Sequence, residues 1–261
     1  MTFQFASDLH LEHRDNAEWL KENPLEPKAD VLLLAGDIFN LADVELPTAS
    51  HFLDLWSDQF KQVYIIPGNH EFYGRLYPIE SVFPSFKMEC RPNVTYLNNE
   101  VVIINQVRFI FTTLFTHIPD TEKWIIEDHI ADFHNCRYAK DSYLNLTVDE
   151  YNHCFETSKA FLEATLDTPF KGKTVVITHH VPYPKKYIVD YPRFQMDLSA
   201  AFHSDLVRLF HRYEIDHWIS GHTHINHDPI KVGDTWCHTN QLGYIGYDDL
   251  LEFDRGVVID L

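Results

Sequence analysis

The chain has 261 residues, with 39 acidic against 21 basic side chains and a formal net charge of -18. Such a charge does not attract polyanions over long range, so long nucleic acids and anionic membranes are poor default partners. We expect neither a secretory signal nor a membrane span, because no basic region precedes an apolar run and no run approaches roughly 20 residues. The four cysteines form no CxxC pair, which predicts reduced thiols in a cytoplasmic protein.

Short apolar, β-branched runs alternate with helical patterns along the chain. Continuous apolar runs of this kind suit sheets that are covered on both faces. The predicted strands are 3–6, 31–35, 63–66, 101–104, 107–111, 173–178, 217–220, 230–232, 235–238 and 256–259. The fourth and fifth of these predict a hairpin around Asn105 and Gln106.

Helical patterns fall between the strands, at 47–60, after Thr147 and at 199–213. Thr147 and Glu150 match a capping box at the start of the second of these helices. Irregular structure is predicted at 23–28 and 183–192, and the region 115–170 is predicted to hold a helical insertion or a lid. Strand–helix alternation followed by a strand-rich C-terminus favours a layered α/β fold.

Five polar clusters stand out in a chain that holds 17 histidines, and each follows a predicted strand. They are Asp8-Leu9-His10, Gly36-Asp37, Gly68-Asn69-His70-Glu71, Thr178-His179-His180 and Gly221-His222-Thr223-His224. Ligands of α/β sheets bind beyond the carboxyl ends of strands, where loops from separate strands converge. A single such cluster usually marks only a turn, but five of them in order predict one common site.

The side chains in these clusters suit divalent metal ions. Carboxylates and imidazoles without thiolates fit Mn, Fe, Zn, Ni or Co. Asp8 and His10 are two positions apart, so on an extended segment their side chains would point the same way. Asp37 has two oxygens and can bridge two ions, and the glycine before it permits a sharp turn. Two ions about 3.5–4 Å apart can clamp a phosphoryl group and activate a water for in-line attack.

The ordered set D-x-H, G-D, G-N-H-E, H and G-H-x-H resembles the signature of the calcineurin-like metallophosphoesterase superfamily and runs from Asp8 to His224. In more detail, FASDLHLE, LAGDI, GNHEFY, DFHNCR, VVITHHVP and WISGHTHINHD look like a subfamily of small bacterial metallophosphoesterases. The resemblance implies a single domain over 1–261. It also implies a four-layer α/β/β/α sandwich with two central mixed β-sheets.

The resemblance also implies a role for each signature residue. The first metal ion would be held by Asp8, His10, Asp37 and His224. The second would be held by the bridging Asp37 with Asn69, His179 and His222. His70 would be the catalytic residue that meets the leaving-group oxygen, and Glu71 would support the ligands.

Other residues are weaker candidates for contacts with substrate. His180, the second histidine of its pair, is expected to support a ligand or to face the substrate. Arg137 is expected to contact a phosphate oxygen, because the guanidinium forms paired bonds with phosphate. Five further candidates rank below Arg137: Asn240 and Tyr244, which follow a late strand, and Tyr73, Tyr183 and Tyr187, which would line a pocket.

The predicted function is hydrolysis of phosphate mono- or diesters by a metal-bridging hydroxide. The cofactors would be two divalent ions, with Mn, Fe or Zn as the first choices, and the partner would be a small phosphate ester. Two alternatives stay open: a nuclease of the same superfamily, and a non-catalytic metal-binding scaffold. The sequence leaves the physiological substrate, the native metals and the oligomeric state undetermined.

Overall fold

The computed structural model describes residues 1–187, 198–247 and 252–261, so part of the irregular stretch predicted at 183–192 lies outside the described residues. The described residues form two six-stranded sheets. In chain order the strands are β1 Thr2–Ala6, β2 Val31–Leu34, β3 Gln62–Ile65, β4 Phe86–Arg91, β5 Val94–Asn98, β6 Glu100–Ile104, β7 Val107–Thr112, β8 Lys173–Thr178, β9 His217–Ile219, β10 Ile230–Val232, β11 Thr235–His238 and β12 Val258–Asp260.

The helices connect these strands. In chain order they are α1 Arg14–Glu22, α2 Pro47–Gln59, α3 Lys123–His129, α4 Asp132–Asn135, α5 Val148–Asp167 and α6 Val207–Arg212. Short 3-10 helices lie at Leu41–Asp43, His70–Arg75, Ile79–Val82, Lys185–Tyr187 and Ser199–Ala201. None of the described helices is long and apolar enough to cross a bilayer.

Both sheets are mixed. The first has the order β12-β1-β2-β3-β5-β4, and the second has the order β10-β11-β9-β8-β7-β6. The inner strands of each sheet are parallel, and the outer pairs β1–β12, β4–β5, β10–β11 and β6–β7 are antiparallel. Ala6 pairs with Leu34, which pairs with Ile65, so the carboxyl ends of β1, β2 and β3 are level. The loops after these strands therefore leave from one edge.

The core has an inner and an outer part. Between the sheets the apolar faces of β1, β2, β7 and β8 pack together, with the Phe3 and Phe109 rings edge to face at 5.4 Å. On the outer side, α2 packs on the first sheet and α5 on the second. This arrangement is the expected α/β/β/α sandwich, in which each sheet is buried on both faces.

Most of the predicted elements are present with small shifts at their ends. The β6–β7 hairpin turns at Asn105 and Gln106, whose φ angles are 47° and 64°. The capping box of α5 forms, because the Thr147 side chain accepts from the Glu150 N–H while the Glu150 carboxylate accepts from Thr147. The lid and the single-domain boundary stay predictions, although α3, α4 and α5 all lie within the region 115–170.

One helix predicted from the sequence is wrong, because it is not continuous in the structure. The stretch 199–213 is divided into a 3-10 turn at Ser199–Ala201 and the short helix α6. The backbone N–H groups of Ser204 and Leu206 donate to Val181 O and Pro182 O instead of to a preceding helical turn. Tertiary hydrogen bonds have therefore replaced helical ones in the middle of this segment.

Candidate metal centre

The loops after β1, β2 and β9 carry five of the predicted ligands in a left-handed backbone conformation. The φ angles are 53° at Asp8, 48° at His10, 56° at Asp37, 74° at His222 and 53° at His224. The expectation that Asp8 and His10 lie on an extended segment is therefore wrong. Non-glycine residues seldom adopt this conformation, and such strain clusters at functional sites.

Glycines allow the loops to approach one another closely. A Cβ on Gly68 would lie 2.1 Å from Asp37 Oδ1, and a Cβ on Gly36 would lie 2.5 Å from His179 Nδ1. A Cβ on Gly221 would lie 2.5 Å from Asp8 Oδ2. These distances are far below van der Waals contact, so each glycine is needed beside a predicted ligand.

Asp8, His10 and His224 form a first cluster of donor atoms. His10 Nε2 lies 3.0 Å from His224 Nε2, and His224 Nε2 lies 3.6 Å from Asp8 Oδ1. Asp8 is itself fixed, because its carboxylate accepts from the Ser7 hydroxyl and from the His222 N–H. Two imidazole nitrogens and a carboxylate oxygen thus face one point.

Asp37, His179 and His222 form a second cluster. Asp37 Oδ2 lies 3.3 Å from His179 Nε2, and Asn69 Oδ1 lies 3.0 Å from the same nitrogen. One ring nitrogen of each histidine contacts a backbone carbonyl oxygen. His179 Nδ1 is 2.9 Å from Ala35 O, and His222 Nε2 is 3.3 Å from Ala201 O. His179 Nε2 and His222 Nδ1 are therefore left to face the cluster.

Asp37 lies between the two clusters, because its Oδ2 is also 3.8 Å from His10 Nε2. Burial acts to raise the pKa of Asp37, but His179 and His70 outweigh it and hold this pKa well below its ordinary value. Asp37 is thus an anionic carboxylate in a ring of imidazoles. Oxygen and imidazole donors in this arrangement fit divalent transition metals.

Glu71 ties two of the ligand-bearing loops together. Its fully buried carboxylate accepts from the Asp37 N–H at 2.9 Å, the Ile38 N–H at 2.9 Å and the Gly68 N–H at 2.7 Å. Burial, followed by the negative charge of Asp37, raises the pKa of Glu71 to about 8. The side chain supports the ligands through their backbone, as expected.

His70 lies beside the ligands with both ring nitrogens engaged. Its Nδ1 is 2.9 Å from Glu12 Oε1, its Nε2 is 3.1 Å from the Tyr244 hydroxyl, and its ring stacks on Tyr73 at 3.9 Å. Burial lowers the pKa of His70, but Asp37 and Glu12 outweigh it and raise this pKa to about 9. Near neutral pH the ring therefore carries a proton that it can donate.

Of the two roles expected for His180, the structure favours support of a ligand over contact with substrate. Its side chain is fully buried, with Nε2 2.9 Å from the Tyr151 hydroxyl and Nδ1 3.3 Å from Thr113 O. Its ring packs on the ring of His222, with 4.1 Å between centroids. His180 thus holds a ligand in place from behind and has no exposed face to offer.

The contact of Arg137 with a phosphate oxygen stays a prediction. Its guanidinium donates to the carbonyl oxygens of Lys140, Ser142 and Leu76. Among the described residues, none of its hydrogen bonds is with a member of the two donor clusters. The side chain ties together the loop that follows α4, because backbone carbonyls there have no partner within a helix.

The weaker candidates divide into two groups. Tyr73 stacks on the ring of His70, and the Tyr244 hydroxyl contacts its Nε2. Asn240 instead donates to Phe5 O and Asp254 O, and Tyr183 is a core residue whose hydroxyl lies 3.3 Å from His227 Nε2. Tyr187 is half-buried and packs against the ring of Tyr183.

Two residues at the site were missed as functional candidates. Glu12 contacts His10 and His70, and its position two residues after His10 extends the D-x-H spacing, which could have signalled it. Asp132 accepts from Asn69 Nδ2 at 2.8 Å and from the Tyr73 hydroxyl at 2.6 Å. It turns the Asn69 oxygen toward His179, and no local pattern predicts that contact.

The chain is similar to a known protein family, to a viral protein and to solved structures. Residues 1–226 match the family model described as calcineurin-like phosphoesterase. The uncharacterized protein L509 of Acanthamoeba polyphaga mimivirus is 30% identical over 261 residues, which covers 92% of this chain and 90% of that protein. Phosphopantetheinyl hydrolase from Mycobacterium tuberculosis shares the fold, with a TM-score of 0.64, 20% identity and coverage of 93% and 89%. For a dimetal phosphatase from Danio rerio the TM-score is 0.46 and the sequence identity is 13%, and the match covers 92% of this chain and 87% of that one.

Proposed function

Because the chain belongs to the calcineurin-like phosphoesterase family, whose members hydrolyse phosphoric esters with metal ions, we propose that it hydrolyses small phosphate mono- or diesters at a dinuclear metal centre. The first ion would be held by Asp8, His10, Asp37 and His224, and the second by Asp37, Asn69, His179 and His222. The donor set suits Mn, Fe or Zn, since it contains oxygen and imidazole donors and no thiolate.

The observation that carries the proposal is the place of Asp37. One oxygen of this buried carboxylate lies 3.3 Å from His179 Nε2 and 3.8 Å from His10 Nε2, so it reaches toward both donor clusters at once. Its other oxygen accepts from the His70 N–H at 2.8 Å, which fixes the carboxylate and the predicted catalytic residue together.

Two bound divalent ions would supply a lowered pKa for water and positive charge at the phosphoryl oxygens. The protein's own contribution to bond cleavage is a proton from His70 Nε2. As water attacks phosphorus and releases a proton to solvent, the P–O bond to the leaving group breaks, the leaving oxygen takes the proton of His70, and His70 regains a proton from solvent. Because the Tyr244 hydroxyl lies 3.1 Å from the same nitrogen, that side of the ring is able to meet a polar group.

The two alternatives are less well supported. A net charge of -18 opposes a long nucleic acid as substrate, which disfavours the nuclease. A non-catalytic scaffold does not need a protonated imidazole beside its ligands, and His70 is in place. A cytoplasmic location stays a prediction that fits the thiol side chains of all four cysteines.

The test uses metal-depleted protein that is reloaded with manganese, iron or zinc. We expect hydrolysis of bis(p-nitrophenyl) phosphate to return with the metal and plasmid DNA to stay intact. The Asp37→Ala variant should lose bound metal as well as activity, whereas Asp58→Ala, an exposed acid on α2, should keep both. Two tightly bound ions in the Asp37→Ala protein would contradict the bridging role, and a wild type inactive on every phosphate ester would overturn the proposal.

A further inference from the structure

Glu12 lies between the metal cluster and the predicted catalytic residue. It follows His10 by two positions in the loop after β1, and its side chain is only 11% exposed. A carboxylate is rarely buried unless it is paired. The partners of Glu12 are histidines that the metallophosphoesterase signature assigns to two different tasks.

One oxygen of Glu12 makes both contacts. Oε1 lies 3.0 Å from His10 Nδ1 and 2.9 Å from His70 Nδ1, and the two rings meet edge to face at 4.5 Å. A carboxylate can only accept, so each Nδ1 must carry a proton. With its proton on Nδ1, a neutral His10 keeps the lone pair of Nε2 for a metal ion, and the Nε2 of His70 points away from Glu12 toward the Tyr244 hydroxyl.

The second oxygen of Glu12 has a different environment. Oε2 is buried and has no hydrogen-bond partner among the described residues. Leaving a buried acceptor without a partner costs about 1–3 kcal/mol. Within the described residues, the hydrogen bonds of Glu12 therefore all pass through Oε1, to His10 and His70. The nearby His13 is not a hydrogen-bond partner of Glu12, since its Nε2 is 3.7 Å from Glu12 Oε1 and its side chain is 52% exposed.

We propose that Glu12 is a positioning residue that fixes the proton and the ring orientation of both His10 and His70. The inference rests on the proposed function, since it assigns Glu12 to the same site. Through His10 the carboxylate strengthens metal binding, and through His70 it supports proton donation to the leaving group. One side chain thus couples the two parts of the reaction.

The Glu12→Gln variant separates these two effects. It keeps the size of the side chain but replaces a charged acceptor by a neutral one, and charge-assisted hydrogen bonds are about twice as strong as neutral ones. We expect metal affinity, measured by titration of the metal-depleted protein, to fall by about 10–100-fold, as for other groups that orient a ligating imidazole. At saturating metal, kcat should fall for an alkyl phosphate ester and much less for a p-nitrophenyl ester, whose leaving group needs no proton.

A double variant tests whether the second effect passes through His70. In the His70→Ala background, Glu12→Gln should not lower the kcat for the alkyl ester any further, because the effects of substitutions at two interacting residues do not add. The loss of metal affinity should remain, since it passes through His10. The exposed Glu18→Gln on α1 is the matched control and should change neither quantity. An equal loss of alkyl-ester turnover with and without His70 would overturn the proposal.

The wild type gives a readout that needs neither a variant nor activity. In ¹⁵N spectra, with the His70 signals assigned from the His70→Ala protein, Nδ1 of His70 should carry a proton at every pH at which the protein is folded. An unprotonated Nδ1 would overturn the proposal even if Glu12→Gln fails to fold. An inactive wild type with a protonated Nδ1 and intact metal binding would instead count against the proposed function alone.

Discussion

The predicted metal ligands lie in a strained backbone. Five of them have positive φ angles between 48° and 74°, and strain of this kind costs about 1–3 kcal/mol at each residue. The surrounding contacts hold these conformations in place: the Glu71 carboxylate binds three loop N–H groups, and Asp8 accepts from the His222 N–H. The donor atoms are therefore oriented by the folded protein itself.

His70→Ala is expected to retain its metal ions and to lose turnover. The side chain contacts Glu12 and Tyr244 through its two nitrogens, so its loss removes no predicted ligand. Removal of a positioned proton donor costs about 10²–10⁴-fold, so kcat on an unactivated ester should fall by this factor. Metal content and steady-state kinetics provide the measurement, with exposed His51→Ala on α2 as the control. Full activity of His70→Ala on that ester would refute the assigned role.

The sequence predicted the members of the site better than their neighbours. Asp8, Asp37 and His179 could be found because motif spacing after a strand is a local signal. The burial of His180 and the loop contacts of Arg137 could not, because both depend on segments distant in sequence. Spacing identifies which side chains are at the edge of the sheet, but it does not determine which face of each is exposed.

Among the secondary structure elements, too, those with a strong local sequence pattern were predicted and those without one were missed. Buried strands such as β2 and β8 were predicted because both of their faces are covered and their sequences are continuously apolar. Strand β4 was missed although its residues alternate between apolar and polar, since it lies at the edge of its sheet and bulges between Glu89 and Arg91. Helix α1 was missed because His13 provides no side-chain cap and its sequence is mostly polar.

The loop after β3 gives a prediction at the scale of a structural element. Gly68→Ala should weaken metal binding, because the added Cβ would lie 2.1 Å from Asp37 Oδ1 and one of the two loops must move. Overpacking of this kind also destabilises a protein by about 1–3 kcal/mol. Metal titration and chemical denaturation of the variant measure the two effects.

Gly74→Ala is the control for that prediction. Gly74 has a φ of 76° and no atom within 4 Å of an added Cβ, so alanine there introduces backbone strain without a clash. Its stability should fall by about 1–2 kcal/mol while metal affinity stays at the wild-type value. If Gly68→Ala bound metal as tightly as Gly74→Ala, the close packing of the two loops would not matter for the site.

At the scale of the whole molecule, the pairing of two sheets explains why the site is composite. The first sheet provides the loops with Asp8, Asp37 and Asn69, and the second provides those with His179 and His222. Neither sheet alone carries all the donors of the two proposed metal ions. The apolar layer between the sheets therefore serves metal binding as well as stability, because it sets the distance between the two groups of loops.

Acid should destabilise the whole fold through His238, which lies at the end of β11 and contacts His217. Burial, followed by the neighbouring His217 and His227, lowers the pKa of His238 to about 3. The ordinary value in an unfolded chain is about 6.5, so between these two pH values the unfolded state binds one proton more. The contribution of His238 is fully present above pH about 6.5 and decreases at lower pH, by up to about 1.4 kcal/mol per pH unit.

The measurement is urea unfolding of metal-free protein between pH 7 and pH 5. His238→Gln removes the proton uptake, so its free energy of unfolding should fall less steeply with acid than that of the wild type. The variant also loses the contact of 2.9 Å between His217 Nδ1 and His238 Nε2, so it should be less stable at pH 7. The prediction is therefore tested by the change in the free energy of unfolding between pH 7 and pH 5, and not by its value at pH 7. Equal slopes for the two proteins would mean that another buried group governs the response to acid.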